Sequence, residues 1–149
     1  MNKLKRIYTT APHGKNLMMA GVVLSVVVNI LTYTPFESVL PIYSWLLPVI
    51  PLVIGYMAVG NFTNEPVMSK LRIAFKSNLA FLIPYVLISI AVNAIAALIR
   101  SGFASFAELG ASEMLLALLS LALGAGIGAI VLLLIFAIFG SIGALVRMK

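Results

Sequence analysis

Cysteine and aspartate are both missing from this chain, and charge of either sign is scarce. Without cysteine there are no disulfides, no thiolate ligands and no anchor for palmitate. Acid–base chemistry near neutral pH is left to four glutamates and one histidine, His13. Glu37, Glu65, Glu108 and Glu113 all fall in connections or at expected helix starts. None is an intramembrane ionisable group of the kind that marks a proton or ion path. That placement argues against a proton-coupled pump or an acidic metal transporter, and leaves open a passive channel or a carrier for apolar substrates.

Charged residues make up 9% of the chain, against about 25% in a typical soluble domain. A surface that poor in charge does not suit water. No serine stands with a His–acid pair, no paired carboxylates recur at a useful spacing, and no glycine-rich loop ends in lysine. His13 has only distant glutamates as possible co-ligands for a metal. The expectation is therefore a protein that is not an enzyme, with no catalytic residue, no cofactor and no bound metal.

What the chain does have is apolar sequence. Hydrophobic residues make up 62% of it and mean hydropathy is +1.15. Runs approaching or exceeding about 20 apolar residues predict membrane-crossing helices. Four such runs fall at 17–33, 39–60, 77–99 and 114–146, so residues 1–149 read as one all-α membrane bundle. The first run follows Lys3, Lys5, Arg6 and Lys15, but it lacks a small-residue cleavage site and reads as a retained span.

The spans carry individual marks. Pro41, Pro48 and Pro51 in the second and Pro84 in the third each remove a backbone donor; Pro41 fits a first turn, whereas Pro48 and Pro51 fall mid-span, and kinks or local breaks are predicted in both spans. Tyr33, Phe36, Tyr43 and Trp45 cluster where an interfacial aromatic belt is expected. Ahead of the third span, 65–76 reads as an amphipathic lead-in. Val67, Met68, Leu71 and Phe75 recur at helical spacing, with Lys70, Arg72 and Lys76 on the remaining surface. Between the third and fourth spans, Phe103, Phe106 and Leu109 share one face of a short outer interfacial helix. Ser105 and Glu108 there match a capping box. The fourth run is unusually long, about 50 Å as a straight helix against a hydrocarbon core of about 30 Å. It must tilt, protrude or break, and Gly124–Gly128 is its weak point.

Basic residues set the expected orientation. Nine of the ten precede the first span, lie between the second and third, or follow the fourth; only Arg100 lies on the other side. The positive-inside rule then puts both termini in the cytoplasm of a multi-pass cell-membrane protein. The same rule, with anionic lipid headgroups, accounts for the net charge of +6 without any nucleic-acid partner.

Two residue sets stand out. Gly124, Gly126 and Gly128, extended by Gly140 and Gly143, form a small-residue face that lets helix backbones approach closely in lipid. Packing inside this bundle is the first reading, packing against a partner subunit the second, and a hinge or pore lining the third. Ser25 with Asn29, and Ser89 with Asn93, are polar pairs one turn apart within apolar spans. They read as an interhelical clasp or, more sharply, as a site for a polar ligand or ion.

The stretches Asn29-Ile30-Leu31-Thr32-Tyr33-Thr34-Pro35-Phe36 and Pro51-Leu52-Val53-Ile54-Gly55-Tyr56-Met57-Ala58-Val59-Gly60 resemble small four-span prokaryotic membrane proteins, many of them archaeal. Those also tend to end in a glycine-rich span. The resemblance implies no active residue and no activity.

The functional expectation is an accessory or structural subunit that packs against other membrane proteins in the lipid bilayer. The alternative is a small homo-oligomeric channel or transporter for a neutral or apolar solute. An intramembrane enzyme would need a catalytic role for Glu37, Glu108 or His13.

Overall fold

The computed structural model describes residues 3–32, 45–60, 62, 64–101 and 110–147. Five helices lie among them: α1 (Lys3–Thr10), α2 (Gly14–Thr32), α3 (Val49–Val59), α4 (Val67–Ser101) and α5 (Ala111–Val146). Helices are the form that long apolar sequence takes when lipid offers the backbone no hydrogen bonds. α2, α4 and α5 are each long and apolar enough to cross a membrane. The protein is thus a multi-helix bundle of the kind expected of a multi-pass membrane protein.

Helix directions follow from which residues meet. Gly21 lies against Phe81, Ser25 against Ser89 and Asn29 against Asn93, so α2 and α4 run the same way. Gly55 meets Gly140 and Gly60 meets Arg147, so α3 and α5 also run together. Phe136 stacks on Phe81 and Gly140 lies on Asn78, which makes α5 antiparallel to α4. Lys15, Lys70, Arg72, Lys76 and Arg147 therefore gather toward one end of the bundle.

α4 is the hub and packs against each of the other four helices. Its buried residues Phe81, Leu82 and Tyr85 join Ile54 and Phe136 in the main core. The Phe81 ring stacks on those of Tyr85 and Phe136 at centroid distances of 6.0 and 5.7 Å. Such aromatic pairs add about 0.5–1.5 kcal/mol each beyond the area they bury. A second cluster of Val59, Ala74 and Ala144 closes the basic end.

Glycine decides how closely α3 and α5 approach. A Cβ at Gly55 would collide with the carbonyl oxygen of Gly140, and one at Gly143 with that of Leu52. The two backbones thus touch directly. Arg147 closes this seam with its guanidinium over the Tyr56 ring, 4.6 Å from the centroid.

The helices depart from the sequence expectation in several places. The second run, 39–60, is represented by the 11-residue α3, about 16 Å long and shorter than a bilayer core. Pro48 is its N-cap and Pro51 lies in its first turn, where the missing N–H costs no intrahelical bond. Residues 39–44 lie outside the described residues. The lead-in and third span are one continuous helix through Pro84. α5 is likewise unbroken across Gly124–Gly128. The expected outer helix, with Phe103, Phe106, Leu109 and the Ser105/Glu108 box, lies outside the described residues, as do Tyr33, Phe36, Glu37 and Tyr43.

Within the lead-in, Lys70 and Ala74 are buried, at 8% and 1% exposure, and Leu71 packs against the second cluster. Val67, Met68, Arg72, Phe75 and Lys76 are exposed. One basic residue thus turns to the bundle interior while two stay at the surface.

Candidate functional site

Ser25, Asn29, Ser89 and Asn93 form one hydrogen-bonded cluster between α2 and α4. Each pair is one helical turn apart, so its two side chains share a face, and the parallel run of the helices sets the faces opposite one another. The two serine hydroxyls are 2.8 Å apart. The Asn93 amide donates to Oδ1 of Asn29 at 3.1 Å, and the Asn29 amide reaches Ser89 Oγ at 3.3 Å. Each asparagine also donates to the backbone carbonyl four residues before it, Asn29 to Ser25 at 2.7 Å and Asn93 to Ser89 at 2.8 Å.

The cluster is graded from inside to outside. Ser25 is fully buried and Asn29 is 5% exposed, while Ser89 is half-buried and Asn93 exposed. Asn93 and Ser89 open onto a groove of about 360 Å³ between α4 and α5, with Tyr85 and Leu132 at one end and Ala125, Gly128 and Ala129 on the far wall. The groove exists because α4 and α5 separate beyond Phe136. Among the described residues that line it none is charged, and Tyr85, Ser89 and Asn93 are its polar side chains.

The glycines divide into two groups. Gly140 and Gly143 are buried in the seams with α4 and α3. Gly124, Gly126 and Gly128 face open space, and a Cβ at any of them would meet no atom of a neighbouring element within 4 Å. Among the described residues nothing packs on these three glycines. The small-residue pattern gives a capacity for close approach that the described helices do not use.

Several residues of the interior carry no mark in the sequence. Gly21 and Gly55 sit under close backbone contacts as isolated glycines. Ser77 and Asn78 are buried at 0% and 1% exposure. The Asn78 amide donates to the Ala74 carbonyl at 3.0 Å and fills the space above Gly140, but Ser77 Oγ and Asn78 Oδ1 have no hydrogen-bond partner among the described residues. The one signal for them is the adjacent polar pair Ser77-Asn78 at the start of an apolar run.

The other candidate residues lie apart. His13 sits in the turn between α1 and α2 with φ of 55°, Glu113 in the first turn of α5 and Glu65 just before α4. Among the described residues no three His, Asp or Glu side chains come together. On α1, burial raises the Tyr8 phenol above its ordinary range. No family model matches the chain, and comparison with curated proteins and with solved structures finds no match.

Proposed function

We propose that this protein is a non-enzymatic accessory or structural subunit of a larger membrane assembly. The observation that carries this reading is the outer half of α5. From Ser112 to Val131 no described side chain is buried, and Gly124, Gly126 and Gly128 face open space. In lipid a glycine face gains dispersion energy only when another helix backbone seats on it, and the described helices of the chain leave this one unoccupied.

The same reading takes the chain as four-span, with bends at Pro48 and Pro84. Support comes from the alternating directions of α2, α3, α4 and α5. The basic end of the bundle is cytoplasmic by the positive-inside rule, and it carries both termini. The test is purification from the native membrane in a mild detergent, followed by mass and composition of the particle. Stoichiometric unrelated subunits are the expected result, and a particle containing this chain alone would count against it.

A second reading, a homo-oligomeric channel or transporter for a neutral or apolar solute, is favoured by one feature, the groove that Ser89 and Asn93 line. Asn93→Leu separates the two. In a subunit it weakens the bundle without altering any flux. In a channel it alters liposome permeability and leaves assembly intact.

A further inference from the structure

α2 and α3 are successive in the chain yet scarcely touch, because both pack on α4 instead. Between them runs a crevice floored by Phe81. Its larger part, about 410 Å³, is wholly apolar, with Leu24, Val49, Ile50 and Val53 among its walls. It continues through Leu17, Ala20 and Ile54, which are shared with a second part of about 260 Å³. That part ends at Pro12, His13 and Asn16. The crevice is thus apolar along most of its length and polar at one end.

The polar end coincides with three sources of positive potential. It lies at the first turn of α2, where the helix dipole favours an anion. Lys15 stands exposed in that same turn. It is also the end where Lys70, Arg72 and Arg147 gather. The branched aliphatic walls decide the kind of occupant. A helix is about 10 Å across with its side chains and seats best on small residues, and Ala20 is the one small side chain shared by both parts of the crevice. A thin, flexible chain fits walls of Leu, Val and Ile.

We propose that the α2–α3 crevice binds one anionic phospholipid, an acyl chain lying over Phe81 and the phosphate at the first turn of α2 beside His13, Lys15 and Asn16. The site is independent of the open face of α5 and of the groove at Asn93.

The test uses the full-length protein, delipidated in detergent and titrated separately with dioleoyl phosphatidylglycerol and dioleoyl phosphatidylcholine, with adducts counted by native mass spectrometry. The expected result is a dominant one-to-one adduct with a preference for phosphatidylglycerol. Lys15→Gln should cut that preference about fivefold, the contribution of one lysine near an anionic surface. Ala20→Phe should abolish the adduct with both lipids, and Val23→Phe, on the exposed face of α2, should leave it intact. A graded series of adducts with no one-to-one species would overturn the proposal, as would equal loss in Ala20→Phe and Val23→Phe. Where Ala20→Phe fails to fold, wild-type protein is photolysed with a phosphatidylglycerol bearing an acyl diazirine. Labelling concentrated on Leu17, Leu24, Val49 and Val53 supports the site. Uniform labelling, or crosslinks to a second copy of the chain, overturns it.

Discussion

The Asn93 amide donates to Oδ1 of Asn29 at 3.1 Å across 64 positions of sequence, tying α2 to α4 near the end opposite the basic residues. The two asparagines are not equivalent. Asn29 is buried and bonded to three residues, whereas Asn93 stands at the rim of a groove.

The difference predicts unequal costs. Asn93→Leu should destabilise the bundle by about 0.6 kcal/mol, the average for such bonds in membrane proteins, and Asn29→Leu by about 1–2 kcal/mol. Reversible unfolding in mixed micelles measures both. Equal losses would mean that the cluster acts as one indivisible unit.

The glycines of α5 should separate into two classes. Gly140→Ala and Gly143→Ala place a methyl group into occupied space and should cost about 1–3 kcal/mol by overpacking. Gly126→Ala meets nothing and should leave the isolated chain as stable as before or slightly more so, since alanine favours helix over glycine by about 1 kcal/mol. If Gly126→Ala nevertheless dissociates the native particle, the cost lies in a partner contact.

Ser77 offers a test of polar burial. Its hydroxyl is fully buried without a partner, and burying an unpaired hydroxyl costs about 1–3 kcal/mol. Ser77→Ala is expected to raise the unfolding midpoint. A fall would reveal a bonded group at the hydroxyl.

The turn before α2 holds His13 at φ of 55°, a left-handed conformation that costs most residues about 1–2 kcal/mol. His13→Gly should be neutral or stabilising on thermal unfolding, and His13→Val should destabilise by about 1 kcal/mol or more, since a β-branched residue tolerates this region least.

The long helices are legible in the sequence because continuous apolar sequence has one structural outcome in lipid. The polar pairs at Ser25/Asn29 and Ser89/Asn93 are visible for a related reason: four polar residues in apolar runs, spaced by one turn, have few places to go. The seams are not legible. Gly21 and Gly55 stand alone in sequence, and an isolated glycine says nothing about which backbone lies above it. Conversely, Gly124, Gly126 and Gly128 advertise close packing without naming a partner. In the lead-in at 65–76 the periodicity marks a helix but not which charged residue turns inward: Lys70 is 8% exposed and Met68 69%, while Arg72 and Lys76 stay at the surface.

The seam between α3 and α5 has a consequence for how the protein is made. As described, α3 is shorter than a bilayer core, and its closest neighbour is not α2, which precedes it, but α5, which leaves the ribosome only after all of α4. During that interval α3 has no glycine seam to rest in, and its half-exposed apolar side chains must be sheltered by lipid or by the insertion machinery. Biogenesis of this bundle is therefore back-loaded. α2, α4 and α5 can each settle on a neighbour already synthesised, whereas α3 waits, and the fold closes in one late step when Gly140 and Gly143 reach the backbone at Gly55 and Leu52.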